Sequence, residues 1–194
     1  MSETSKSLTE LRDKPFELLQ ELERRISQAA SGRGGAQASV ADEWVGVAYQ
    51  LGEFQFVTDR REIREILMLP SVTRVPGAKS WVRGLANIRG QLLPIIDLNA
   101  FFGGEESITG RATRILWVNH ADIPTGLVVD SVKGFRRFTN SEATDEVQAF
   151  DAAYRPFVKG GYRHDELWNV LDLVALVESQ VFLTASDTTG AVTT

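Results

Sequence analysis

Two histidines in this chain lie beside carboxylates: His120 stands two residues before Asp122, and His164 directly precedes Asp165-Glu166. An imidazole next to a carboxylate can move protons near neutral pH, so each is a candidate acid–base couple. Neither is accompanied by a serine on a glycine elbow or by metal-ligand spacing, and a surface histidine in a turn accounts for each. Cysteine is absent, which removes thiolate nucleophiles, disulfides and most structural zinc sites together. Gly32-Arg-Gly-Gly35 lacks the lysine and following Ser/Thr of a phosphate loop. These residues predict no catalysis, no metal and no cofactor. What remains is recognition. Arg89 is a lone cation flanked by Gly84 and Gly90, and the apolar run Leu92–Ile96 follows it and ends at Asp97. The glycines permit backbone positions that other residues resist, so the pattern is a tight turn presenting a guanidinium beside a buried strand. The same side chain has a structural alternative, because its rigid fork can hold carbonyls or pair with an acid such as Asp97. Glu65 sits in a mixed-charge run that reads as either a solvated face or a contact. Asp97 and Asp130 both close apolar strands, which suits backbone capping better than acid chemistry.

The elements that position these groups follow from periodicity. Leu11, Leu18, Leu22 and Ile26 recur at helical spacing, with Pro15 at a helix start, predicting a helix over 15–29. Ser31–Ser39 is a glycine-rich linker. From Trp44 onward, short alternating runs are separated by Gly and Pro turns, which predicts an all-β body. Asp59–Ile66 is ambiguous between a helical turn and a strand. Leu167–Leu171 reads as a last strand, and Asp172–Glu178 as a short helix capped by its own aspartate. Gly84, Gly90 and Gly134 are expected to serve backbone geometry in turns. Leu92, Leu93 and Ile95 read mostly as core, with alternate residues free for a partner. The expected organisation is 1–39 helix and linker, 40–180 body, and 181–194 flexible tail. A faint echo between Phe54–Ile66 and Leu127–Phe135 is of a kind that strand composition alone produces.

The chain has 194 residues, with 21 Lys+Arg against 26 Asp+Glu and a formal charge of −5. An acidic balance argues against non-specific nucleic-acid binding, although Arg136-Arg137 with exposed aromatics leaves a small-barrel nucleic-acid binder as the alternative function. The polar start lacks a signal-peptide core, and no apolar run approaches the ~20 residues that span a bilayer, so a cytoplasmic protein without direct membrane insertion is expected.

Several motifs occur in a specific order: Ile63-x-Glu65-Ile66, Leu69-Pro70, Val82-x-Gly84, Asn87-Ile-Arg-Gly90, Leu93-Pro94-Ile-Ile-Asp97-Leu98, Gly126-Leu-Val-Val-Asp130-x-Val132 and Leu171-Asp172-Leu173. In order and spacing this series resembles the CheW-like coupling domain over about residues 44–178. Pro15-Phe-Glu-Leu-Leu and Trp44-Val-Gly-Val are similar to the branch of that family that serves the type IV pilus chemosensory system and twitching motility. The resemblance implies two five-stranded SH3-like barrels around a shared core, with an N-terminal helix and a short C-terminal helix. It implies a non-catalytic adaptor joining the cytoplasmic tip of a methyl-accepting chemotaxis receptor to the regulatory domain of a CheA-like histidine kinase, recruited to membrane-associated arrays. Arg89, with Asn87 and Glu65, would then contact the receptor at the groove between the barrels. Leu93 and Ile95 would offer a barrel edge to the kinase.

Overall fold

A strand buried on both faces must lie between two apolar layers, and that requirement explains the architecture. The structure is a computed structural model that describes residues 43–148 and 153–185. The helix expected over 15–29, its linker and residues 186–194 lie outside the described residues. The described strands are β1 (Glu43–Leu51), β2 (Phe54–Asp59), β3 (Ile63–Met68), β4 (Val82–Ile88), β5 (Gln91–Asp97), β6 (Arg114–Val118), β7 (Gly126–Val129), β8 (Ser131–Thr139), β9 (Ala143–Thr144), β10 (Val158–Arg163) and β11 (Leu167–Leu171). Three short helices are α1 (Leu98–Phe101), α2 (Leu173–Val177) and α3 (Gln180–Leu183).

One sheet has the order β8-β1-β2-β11-β10-β9 and the other β3-β6-β7-β5-β4. Pairing is antiparallel except for β2 with β11 and β5 with β7, so each sheet contains one parallel seam. Period two then distributes the side chains. On β6, Leu116 and Val118 face a core shared with Tyr49, Leu51 and Phe56 of the other sheet, while Ile115 and Trp117 enter a separate cluster with Leu93, Ile95 and Val128. On the first sheet, Ala48, Val57, Phe138 and Trp168 form a third cluster. The result is a central core shared by both sheets and a satellite core on the far side of each. Arg64 lies over the ring of Trp117 at 4.5 Å, and Arg136 over Trp168 at 4.4 Å, so each satellite core carries one such cation–π contact.

The expected pair of five-stranded barrels is corrected in two respects. The sheets have six and five strands, and among the described residues neither ladder closes on itself by hydrogen bonds. The helix inventory also grows. Asp97 ends β5 and caps α1 by accepting the Ala100 N–H at 3.1 Å, adding an internal helix that the reading did not contain. α3 is a second short helix after α2, where one C-terminal helix was expected, and it carries buried Phe182 against Trp81 and Phe101. The ambiguity at Asp59–Ile66 resolves in favour of the strand, which holds Ile63, Glu65 and Ile66. Asp59 caps a single 3-10 turn over 60–62, and β3 begins directly after it.

The structure also contains a repeat. In Val82-Arg83-Gly84 the strand bulges against Ile96 and Ile95, and in Val158-Lys159-Gly160 it bulges against Leu171 and Val170. Both glycines have the same left-handed φ, 138° and 139°. Each bulged cation reaches the aspartate that caps the following helix. Arg83 Nη2 is 2.6 Å from Asp97 Oδ2, and Lys159 Nζ is 2.5 Å from Asp172 Oδ2. Asp172 accepts the Ala175 N–H at 2.9 Å, as Asp97 does for Ala100. The two hairpin–helix units are therefore the same device, once per sheet. The faint sequence echo noted above involved other segments.

Candidate functional site

Ile88 and Gln91 pair across the β4–β5 hairpin, leaving Arg89-Gly90 as a two-residue loop. Both loop residues have positive φ, 53° and 83°, which is the type I′ turn whose twist matches flanking strands. Glycine adopts such angles freely, whereas Arg89 is the one described non-glycine residue that does so. Asn87 holds the turn by accepting the Gly90 N–H on Oδ1 at 2.9 Å. Asn87 is thus a backbone brace, which is how the Asn-x-Arg-Gly motif produces a stable projection.

The guanidinium projects toward β3, where Nη2 donates to Glu65 Oε1 at 2.6 Å. The Arg89 side chain is 71% exposed and that of Glu65 29%. The partner is therefore Glu65, 24 residues away, and not Asp97. β3 and β4 are the two outer strands of their sheet, so this ion pair ties the hairpin tip to the opposite edge where the ladder stays open. Asp97 is fully buried and is committed to Arg83, to the α1 cap and to Ser107.

Leu93 and Ile95 are completely buried, and β5 lies between β4 and β7. Neither is a barrel edge nor a surface for the kinase: period two sends both into the satellite core. The exposed apolar residue is Leu92, 60% accessible and directly across the ladder from Asn87. It stands beside the Arg89 turn, and sequence reasoning passed over it in favour of its neighbours. Of the three glycines, only Gly90 is in a tight turn. Gly84 lies in a strand bulge, where an added Cβ would come 2.1 Å from the Thr73 carbonyl oxygen, and Gly134 lies within β8.

The histidines are accounted for by structure. His120 Nδ1 accepts the backbone N–H groups of Asp122 and Ile123 at 3.3 and 3.1 Å, which leaves Nε2 to donate to Glu178 at 3.0 Å. His164 pairs with Glu142, whose carboxyl is held below the usual range first by the Thr139 N–H and then by His164. Among the described residues no group of His, Asp and Glu is gathered for a metal ion. The Arg136-Arg137 patch is divided: Arg136 lies over Trp168, and Arg137 pairs with Glu43 at 3.5 Å. In the 3-10 turn, Glu62 accepts the Leu173 N–H at 2.8 Å; burial raises its pKa above the ordinary value, against the lowering effect of that bond.

With two mixed sheets sharing a core and an arginine-tipped hairpin on one of them, the comparisons are decisive about class. Residues 46–181 match the CheW-like domain, and the chain belongs to that family of non-catalytic adaptors. Protein PilI of Pseudomonas aeruginosa is 37% identical over 169 residues, covering 87% of this chain and 94% of PilI. The chemotaxis protein CheW of Bacillus subtilis is 25% identical over 138 residues, covering 69% and 86%. The crystal structure of scaffolding protein TtCheW from Thermoanaerobacter tengcongensis is similar at a TM-score of 0.61 and 26% identity, covering 71% of this chain and 94% of that one. No helix among the described residues is long and apolar enough to cross a membrane.

Proposed function

We propose that this chain couples the cytoplasmic tip of a methyl-accepting chemoreceptor to the regulatory domain of a CheA-like histidine kinase, in a cytoplasmic pathway that controls type IV pili. The likeness to PilI supports the pilus branch, and the family supports the adaptor role. The observation that carries the site assignment is the exposed Arg89 guanidinium, fixed by a type I′ turn and by Glu65, with Leu92 beside it. A rigid charged fork next to an apolar side chain is the composition of an interface anchor, because little side-chain freedom is left to lose on binding. Leu92, unlike buried Leu93 and Ile95, is exposed and supplies the apolar part of this receptor site. Nucleic-acid binding is the weaker reading, since the two arginines that suggested it are engaged apart from each other.

Titrations of the full chain with an isolated receptor tip and with a kinase regulatory domain test the assignment. Truncating a charged anchor whose partner stays buried costs about 2–5 kcal/mol. Arg89→Ala should therefore lower receptor affinity by roughly 30-fold or more, with kinase affinity and the melting temperature unchanged. Unaltered receptor affinity would refute the site, and failure of the wild-type chain to bind either partner would refute the function.

A further inference from the structure

A groove of about 490 Å³ lies between the β3–β4 connection and the start of β4. Val72, Val75, Ala78 and Val82 give it an apolar wall, and Arg74 and Lys79 add cations. Arg74 has no hydrogen bond or ion pair among the described residues; Lys79 has a ring, Trp81 at 6.0 Å, but no carboxylate. Arg83 and Glu106 also line the groove, so the segment 105–110 borders it directly.

That segment carries the most exposed large apolar side chain of the described residues, Ile108 at 90%. A single exposed isoleucine is ordinary; one on a loop fastened this firmly is not. The Ser107 N–H and hydroxyl donate to the two oxygens of buried Asp97 at 2.9 and 3.2 Å. Arg83 donates to the Ser107 carbonyl and, at 2.9 Å, to the Thr109 hydroxyl. The Thr113 hydroxyl donates to the Ile108 carbonyl at 3.1 Å and accepts the Gly110 N–H at 2.9 Å. Ile108 is thus held outward by a buried ion pair, and ordering this loop adds little to the cost of binding. Glu105 and Glu106 precede it.

An apolar knob led by two carboxylates stands beside a groove with one apolar wall, edged by Arg74 and Lys79, which form no ion pair among the described residues. We propose that the occupant of the groove is a second copy of this chain, whose Glu105–Ile108 segment enters it while the first copy's segment enters the other groove. Knob and hole share one patch, so a single two-fold axis satisfies both, giving a closed dimer rather than a filament. The like-charged overall surfaces oppose association, so the dimer is weak, and its contacts between opposite charges weaken with salt.

Sedimentation velocity of the full chain up to roughly 1 mM tests this. The expected result is reversible dimerisation that Ile108→Ser weakens by about tenfold or more. Two charge variants give the decisive arm. Arg74→Glu with Lys79→Glu makes groove and segment both acidic; Glu105→Arg with Glu106→Arg makes both basic. Each alone should be monomeric, and the two mixed should form a heterodimer. A wild-type chain that stays monomeric, a dimer indifferent to Ile108→Ser, or variants that fail to associate on mixing would each overturn the proposal.

Discussion

The duplicated cation–aspartate device makes a quantitative prediction, because one copy is buried and the other is not. Asp97 has a fully buried side chain and Arg83 is only 14% exposed, whereas Lys159 is 64% exposed opposite Asp172. Asp97→Ala leaves a mostly buried guanidinium without its counter-charge, and removes an acceptor for the Ala100 and Ser107 N–H groups. Breaking a buried pair from one side costs about 3–5 kcal/mol, and the lost cap, about 1 kcal/mol, falls within that range. Asp172→Ala also loses a cap, to Ala175, but leaves its lysine able to turn into solvent. Exposed pairs contribute about 0–1 kcal/mol, so the second substitution should cost about 1–2 kcal/mol in all. Urea denaturation followed by tryptophan fluorescence measures both, read as midpoint shifts at unchanged slope. Asp97→Asn keeps an acceptor for Ala100 but drops the charge, and should fall between wild type and Asp97→Ala. Equal losses for Asp97→Ala and Asp172→Ala would refute the argument from burial.

Arg89→Gly relieves a left-handed residue, so it should leave stability unchanged or raise it by up to about 1 kcal/mol while removing receptor binding; a clear drop in melting temperature would mean that the arginine mainly holds the hairpin to β3. Gly84→Ala places a Cβ against the Thr73 carbonyl and strains φ, and should lower stability by more than about 1 kcal/mol in the same urea assay. Glu62 has its folded pKa raised by burial, so the folded protein binds more protons than the unfolded one, and stability falls as pH rises from the ordinary value of 4.5 through the folded pKa. Glu62→Gln keeps an acceptor for the Leu173 N–H and should melt above wild type at neutral pH, with the advantage gone in acid below that value; an advantage independent of pH would assign the gain elsewhere.

Local chemistry was the legible part of this chain. The Arg89 turn follows from Asn-x-Arg-Gly, because a two-residue hairpin loop with Asn bracing Gly is specified within four residues. Asp172 as a helix cap, and Asp97 and Asp130 as backbone acceptors, were equally readable; Asp130 receives the Gly52 N–H at 2.7 Å. What failed was phase and pairing. In Leu92-Leu93-Pro94-Ile95-Ile96 both faces are apolar, so periodicity cannot tell which residues meet solvent; the register with β4 and β7 decides that Leu92 does. The Arg89–Glu65 contact depends on the sheet curling until its outer strands approach, which no local window contains. The repeat was visible as Val82-Arg83-Gly84 with Asp97-Leu98-x-Ala100, set against Val158-Lys159-Gly160 with Asp172-Leu173-x-Ala175, but the exchange of Arg for Lys and the different hairpin lengths concealed it.

The core that both sheets share determines what kind of transmitter this molecule is. Tyr49 and Phe56 from one sheet and Leu116, Leu127 and Val129 from the other interlock with Tyr154 and Phe102, whose rings stack at 3.9 Å. No cleavage plane runs between the halves, so tilting one against the other would open voids in a close-packed interior. Such a body behaves as a bracket and not as a hinge. A partner held at the Arg89 hairpin and another held elsewhere on this body are kept at a set angle, and a change at one reaches the other only as displacement of the whole.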